Sequence, residues 1–365
     1  MRIALVTPRY WPAIGGVETH VEELAAGLVV RGHEVEVLTQ AHDSSLPIEE
    51  DHAGVPIRRF AAAINAEHYR FSPGLLRFLA GHAGSWDVLH AHNYHALPAL
   101  AAAFTRRGTF ILTPHYHGES QSRFRDILHR PYRTAGALMM RRASRVISVS
   151  PSEASLLKDH FPAARSKIAI VPNGVDAAGI AAAQPFETGD ARVVLVAGRL
   201  ADYKRVDATI QALAHLDTRY VLRVSGEGPM RSMLEALARK LGVTERVSFL
   251  GRIERDELNR WFSTADVFVT MSEIEAMGIT VLEALAGGAR VVASDIPAHR
   301  DARVLGGERV RLIRRGASSA ELAAAIEEAA ASDAPARPVP TWQEVVERTL
   351  AVYDEAIAAS STKAE

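Results

Sequence analysis

Two carboxylates, Glu275 and Glu283, flank a glycine in the segment Ser272-Glu-Ile-Glu-Ala-Met-Gly-Ile-Thr-Val-Leu-Glu-Ala-Leu-Ala286, a loop that runs into a helix starting near Ile279. A helix start carries unpaired backbone N–H groups and a partial positive charge, so the amides of Gly278, Ile279 and Thr280 can hold a diphosphate. Glu275 then faces a sugar. Glu283, about one and a half turns into the helix, can accept hydrogen bonds from ribose hydroxyls. The layout suits a nucleotide-sugar site, although the spacing alone fits equally well with Glu283 as a helix-surface charge.

Other groups with chemical potential sit after short apolar runs. Arg199 and Lys204 follow Val193-Val-Leu-Val-Ala197, with Gly198 between them and the run. Arginine as a fork and lysine as a point charge fit a diphosphate, while spacing alone favours two surface cations. His115 and His117 follow Phe110–Thr113, where a parallel sheet presents its loops; an imidazole there can donate or accept hydrogen bonds. His90, His92 and His95 follow Val88–His90, and with no acid nearby to complete a metal set they read as a polar loop. Gly15 and Gly16 after Pro12 form a bare Gly-Gly turn that allows backbone N–H groups near an anion. Gly226-Glu-Gly228 lacks the third glycine of a dinucleotide fingerprint and supports no cofactor assignment.

These loops need a scaffold, and the pattern supplies one. Short β-branched runs (Arg2–Thr7, Glu34–Thr39, Val88–His90, Phe110–Thr113, Arg145–Ser148) alternate with helical stretches (Glu18–Gly32, Leu75–His82, Leu97–Arg106). A second series runs from Arg192–Ala197 through Val206–Leu216, Tyr220–Ser225, Arg231–Leu241, Val247–Leu250, Asp256–Thr264, Val267–Thr270 and Thr280–Ala286 to Arg290–Ser294. Alternation of this kind implies βαβ units and parallel sheets. Two Rossmann-like domains are expected, with a linker from Val171 to Gly189 and a ligand cleft at the carboxyl ends of both sheets. Ala334–Pro340 cannot be helical; Trp342, Val345, Val346, Leu350 and Tyr353 then recur at helical spacing, predicting one buried face, with fraying from Ser360 onward.

Composition agrees with two domains: 365 residues, 48% apolar and 23% charged, with a net charge of −1. Residues 1–178 carry 19 Lys+Arg against 16 Asp+Glu, and the remainder 23 against 27. Neither a basic pI nor a nucleic-acid motif is visible, so nucleic acid is not an expected partner. The absence of cysteine excludes disulfides and thiolate chemistry. No uncharged apolar run is long enough to span a bilayer, and Met1–Val6, ending at Pro8, reads as a first buried strand rather than a signal peptide; a cytoplasmic location is expected. Between Glu119 and Arg145 seven arginines meet two acids among apolar residues. Such a stretch can touch the inner face of an anionic membrane peripherally, against the preferred reading of a helix packed into its own domain.

The segment around Glu275 and Glu283 resembles the Glu-x7-Glu signature of retaining glycosyltransferases of family 4, which have the GT-B architecture. The opening Met1-Arg-Ile-Ala-Leu-Val-Thr-Pro-Arg-Tyr-Trp-Pro-Ala-Ile-Gly-Gly-Val-Glu18, Thr113-Pro-His-Tyr-His117, Val171-Pro-Asn-Gly-Val-Asp176 and Gly198-Arg-Leu-Ala-Asp-Tyr-Lys204 resemble the family's blocks in the family's order. The resemblance implies an α/β fold of two facing Rossmann-like domains: residues 1–178 for the acceptor, residues 179–340 for the nucleotide-sugar donor, and a helix in 341–365 crossing back to the first domain. It implies His115, Arg199, Lys204 and Glu275 as catalytic. Gly16, Gly198, Gly226, Arg252, Gly278, Ile279, Thr280 and Glu283 fall on the donor side, and Gly15 and His117 on the acceptor side. No Asp-x-Asp triplet occurs, so no metal is expected, and no cofactor beyond the substrate, a UDP- or GDP-sugar, with a hydroxyl acceptor. Same-face transfer through an ion pair, in a monomer or homodimer, is the implied chemistry. A nucleotide-sugar epimerase and a non-catalytic nucleotide-sugar-binding protein are the competing readings. Two departures from the family pattern are Met277, where many relatives carry an aromatic residue, and the second cation Arg205.

Overall fold

The structure is a computed structural model that describes the chain except residues 14, 42, 44, 67–68, 95, 106–107, 119–133 and 362–365. It divides into two compact units, Met1–Asn173 with Trp342–Glu365, and Gly174–Thr341.

The first unit is built on an eight-stranded sheet. Its strands are β1 (Arg2–Val6), β2 (Glu34–Gln40), β3 (Glu49–His52), β4 (Val55–Phe60), β7 (Val88–His92), β8 (Thr109–Thr113), β9 (Arg145–Ser148) and β10 (Ile168–Ile170), in the order β10-β9-β8-β7-β1-β2-β4-β3. All pairings are parallel except the β3–β4 hairpin at one edge. A separate ribbon pairs β5 (Ile64–Ala66) with β6 (Tyr69–Phe71). Helices α1 (Gly16–Val30), α2 (Pro73–Gly81), α3 (Leu97–Ala103), α4 (134–142) and α5 (Pro151–His160) connect the strands. All five residues of β7 are buried, as expected of a strand covered on both faces.

That burial corrects one expectation. His90 and His92 are not in a polar loop but inside β7, and neither is exposed; His95 lies outside the described residues. The Leu-His-Ala-His run conceals a strand because two polar side chains break the apolar pattern. His90 is accommodated because both ring nitrogens are paired, Nδ1 with the Tyr353 hydroxyl at 2.7 Å and Nε2 with Thr113 Oγ1 at 2.8 Å.

The second unit holds six parallel strands: β11 (Arg192–Ala197), β12 (Tyr220–Ser225), β13 (Val247–Gly251), β14 (Val267–Thr270), β15 (Arg290–Ser294) and β16 (Val310–Ile313), in the order β13-β12-β11-β14-β15-β16. This is the doubly wound order 3-2-1-4-5-6, with its switch point between the first and fourth strands. Its helices are α6 (Ala177–Ala182), α7 (Val206–Leu213), α8 (Arg231–Lys240), α9 (Arg255–Thr264), α10 (Ile279–Ala286), α11 (Pro297–Gly306) and α12 (Ser319–Ala330). Part of the expected linker is therefore helical. Asp176 starts α6 by accepting a hydrogen bond from the Gly179 amide at 2.9 Å, a cap that offsets a short, alanine-rich sequence.

The last helix, α13 (Trp342–Ser361), belongs to the first unit. Its buried stripe runs through Trp342, Val345, Val346, Thr349, Val352, Tyr353 and Ala356. Leu350 is only half-buried and Thr349 takes the inward place, because at helical spacing position 349 lies on the same face as 345, 346, 352 and 353 while 350 lies at its edge. The helix continues through Ser360 and Ser361, later than the fraying expected there. In the arginine-rich stretch, the described helix α4 buries Met139 and Met140 in the first unit's core while Arg141 and Arg142 are exposed; the rest of that stretch lies outside the described residues. No helix among the described residues is long and apolar enough to cross a membrane.

The Tyr353 hydroxyl is a buried support of the first unit. Tyr353→Phe is expected to leave His90 Nδ1 unpaired and to cost about 1–3 kcal/mol, read as a lower urea midpoint; an unchanged midpoint would remove the bond from the list of supports.

Candidate functional site

At the switch point of the second unit, the loops after β11 and β14 emerge side by side. The first carries Gly198, Arg199 and Lys204, the second Glu275 and Gly278. A small pocket there is lined by Gly198, Arg199, Lys204, Thr209, Thr270 and Met271. Lys204 Nζ donates to Glu275 Oε1 at 2.5 Å, with the side chains 20% and 16% exposed. Burial works against both charges, but each supports the other: the Lys204 ammonium is held above its ordinary value, and Glu275 below the usual carboxylate range, with help from Ser272. At neutral pH the site therefore presents a matched cation and anion.

Gly278 occupies the N-cap of α10 at φ 75, a left-handed conformation that disfavours side chains, and no side chain caps the helix. The first turn of α10 contains no acid, so its amides and partial positive charge stay open to an anion. Glu283, almost fully buried, meets Arg255 Nη1 through Oε1 at 2.5 Å. Burial raises its pKa, Arg255 opposes that shift and Asp176 adds to it. Met277 is buried rather than presented at the surface.

Gly226 has a backbone task. Its φ is 127, and a β-carbon there would lie 2.0 Å from the Gly198 carbonyl oxygen. Its own amide donates to the Gly251 carbonyl at 2.8 Å, and Gly198 N donates to Ser225 O at 2.9 Å. The Gly-Glu-Gly turn thus lets three strand-end loops pack backbone against backbone and sets the position of Gly198. Arg252, just after β13, is exposed.

In the first unit, His115 follows β8 at φ 49, rare for a non-glycine residue. Burial drives its pKa well below the ordinary value, as it does for His90 and His92, and neighbouring imidazoles add to the effect. His20, on α1, is pulled down to about 4 by burial despite a hydrogen bond to Asn173. All four rings are therefore uncharged at pH 7. His117 is half-buried. Gly15 and Gly16 begin α1 beside the chain's own carboxylate: Glu18 Oε2 lies 2.3 Å from where a β-carbon on Gly15 would be, and Glu18 Oε1 receives Arg9 Nε at 2.8 Å. This helix start already has an anion, unlike that of α10.

Two family models span most of the chain, Glycosyltransferase Family 4 over residues 14–178 and Glycosyl transferases group 1 over residues 179–338. A glycosyltransferase of Methanocaldococcus jannaschii is 30% identical over 325 residues, 81% of each chain. The chain belongs to the family 4, group 1 glycosyltransferases. A glycogen synthase of Mycobacterium tuberculosis is 29% identical, covering 97% of this chain and 94% of its own. Among solved structures, sucrose-phosphate synthase of Thermosynechococcus elongatus matches with a TM-score of 0.76 at 22% identity, covering 100% and 98% of the two chains. HepE of Anabaena in complex with UDP and glucose matches at 0.73 and 18%, covering all of both. These neighbours give this glycosyltransferase the GT-B fold.

Several further residues shape this candidate site. Arg205, at φ 50, pairs with Asp207 at 3.1 Å and Glu273 at 3.2 Å, while Glu273 N donates to the Tyr203 carbonyl at 2.8 Å. The second cation thus ties the Lys204 turn to the Glu275 loop. Buried His299 donates from Nδ1 to the Ser294 carbonyl at 2.8 Å and feels the charges of Glu275 and Lys204. Glu153 did have a visible signal, the capping pattern Ser150-Pro-Ser-Glu153. Ser150 caps α5, and the Glu153 carboxylate accepts from Tyr116 N at 2.5 Å, Val149 N at 2.7 Å and Ser148 Oγ at 3.1 Å. It thereby holds the loop that carries His115 and His117.

Removing one member of the Lys204–Glu275 pair leaves the other's charge largely buried without its counter-ion. Lys204→Met is expected to destabilise by about 3 kcal/mol, and the double variant with Glu275→Gln to cost less than the sum of the singles; additive urea-denaturation losses would show that the pair is not coupled. Burial pushes the Glu153 carboxyl from 4.5 up to about 7, against its three donors. The folded protein then binds that proton more tightly than the unfolded chain, so the contribution is complete below pH 4.5 and lost as pH rises through 7. The stability of wild type relative to Glu153→Gln should fall across that window, whereas parallel profiles would assign the carboxyl an ordinary pKa.

Proposed function

We propose that this glycosyltransferase moves a sugar, with retention and without a metal, from a nucleoside-diphosphate sugar to a hydroxyl acceptor. The observation that carries the reading is the Lys204–Glu275 pair at the switch point, beside Arg199 and the uncapped start of α10. The diphosphate lies against the Gly278, Ile279 and Thr280 amides and takes charge stabilisation from Arg199 and Lys204, which strengthens as the C1–O bond to phosphate breaks. Glu275 accepts from sugar hydroxyls. Glu283 keeps Arg255 on one oxygen and accepts from the ribose with its remaining capacity. On the same face, the acceptor oxygen bonds to C1 and its proton passes to the departing phosphate.

From the first unit we assign His115 to the transferring sugar and Gly15 and His117 to the acceptor, on the family resemblance. Gly16, Gly198, Gly226 and Arg252 remain donor-side assignments, with Gly226 acting through the backbone of Gly198. A UDP-sugar is the first donor to try: HepE has been solved with UDP and with UDP-glucose. Relatives named as D-inositol 3-phosphate glycosyltransferases and glycogen synthases favour a hydroxyl acceptor.

The test is nucleotide release from UDP-, GDP-, ADP- and TDP-sugars, with and without EDTA. One donor should release its nucleotide at a rate EDTA does not change, and Glu275→Ala or Lys204→Ala should lower kcat by about 10²–10³. Isomerised sugar with its nucleotide still attached would favour the epimerase, and failure of every donor to bind would leave a protein without this activity.

A further inference from the structure

The histidines buried in the first unit do not share one role. His90 has both ring nitrogens paired and is not available as a ligand. It lies against His92, with centroids 4.1 Å apart, and holds that ring in place. His92 is fully buried, yet among the described residues neither its Nδ1 nor its Nε2 has a partner, and buried His115 Nε2 likewise has none. A buried polar atom that nothing satisfies destabilises the fold. His20 completes the group. Its Nδ1–H donates to Asn173 Oδ1 at 2.8 Å, which leaves the lone pair on Nε2 and reproduces the outer-shell hydrogen bond of a metal-bound histidine. One nitrogen from each of His20, His92 and His115 lies within 4.8 Å of the other two.

We propose that His20, His92 and His115 form a binding site for a divalent transition-metal ion of the kind that prefers imidazole, with a fourth position left open. Three neutral imidazoles suit Zn²⁺ or Co²⁺, whereas Mg²⁺ and Ca²⁺ seek oxygen. With Zn–N bonds of about 2.0–2.1 Å, tetrahedral ligands stand about 3.4 Å apart, so nitrogens that lie within 4.8 Å of one another close in by up to about 1.4 Å on binding. The left-handed backbone at His115 turns its ring toward the group, with its centroid 5.1 Å from that of His20 and 5.8 Å from that of His92. The site leaves the Lys204–Glu275 pair untouched, but with an ion bound His115 is a ligand, so ion binding and the assignment of His115 to the transferring sugar are alternatives.

The experiment is titration of the metal-free full chain with Zn²⁺ by calorimetry and with Co²⁺ by visible absorption, with Mg²⁺ as control. One Zn²⁺ per chain is expected, with the intense bands of four-coordinate Co²⁺ and no response to Mg²⁺. His92→Gln and His20→Gln should abolish this uptake, Asn173→Ala should weaken it about 10- to 100-fold, and His160→Gln, whose Nδ1 instead pairs with the Tyr116 hydroxyl, should leave it intact. X-ray absorption on the wild-type zinc form, which needs no variant, should count three imidazole nitrogens. No stoichiometric uptake by wild type, a coordination shell with fewer than two imidazoles, or uptake that survives in a folded His92→Gln chain would each overturn the proposal.

Discussion

Parallel sheets covered on both faces leave few places for chemistry. In each unit the central strands are mostly Val, Ile, Leu and Ala, so charged groups reach ligands mainly where the chain leaves the sheet, at the carboxyl ends. The order β13-β12-β11-β14-β15-β16 then does the selecting. Because consecutive crossovers wind in opposite directions from β11, the loops after β11 and β14 diverge at one point, and Arg199, Lys204, Glu275 and Gly278 all come from those two loops. Moving Lys204 to any other strand end would break its contact with Glu275 without changing the fold.

The two units solve the desolvation problem in opposite ways. The second places formal charges in a partly buried site and stabilises them by pairing, Lys204 with Glu275 and Arg255 with Glu283. Arg205 braces the first pair through Glu273. The first unit instead gathers imidazoles whose burial keeps them neutral. It also fills its glycine-rich helix start with Glu18, itself paired with Arg9. The start of α10 lacks such an internal anion, which is why an anionic ligand is argued for α10 and not for α1.

Much of this was legible in the sequence, for identifiable reasons. Strands such as Val193–Ala197 are continuous apolar runs, and Gly278 followed by Ile279 and Thr280 marks a helix start by chemistry that acts over a few residues. What failed to show was either disguised or distant. The two histidines of β7 look like a loop until Tyr353, more than 200 positions away, is seen to satisfy His90. Arg255 and Glu283 sit on different helices, and no periodicity links them. Helix α6 was missed because it is six residues long, and its cap Asp176 lies inside a segment whose prolines and glycines read as linker. Leu350 illustrates a smaller error, since an apolar side chain near the stripe was preferred to the threonine that in fact lies on it.

The glycines show how a strand-end turn can act through backbone packing. The family resemblance implies a donor-side place for Gly226, and its glycine spacing alone supports no cofactor assignment. The geometry gives it a different necessity: a β-carbon would strike the Gly198 carbonyl oxygen. Gly198 is the residue beside which Lys204 Nζ lies, 3.9 Å from where a β-carbon would project. A side chain at Gly226 would therefore push on Gly198, and through it on the cation that holds Glu275, so the constraint at one strand end reaches the charged pair through backbone contact alone. The same glycine spacing in a dinucleotide-binding protein approaches its ligand directly; here it approaches the backbone of the neighbouring loop.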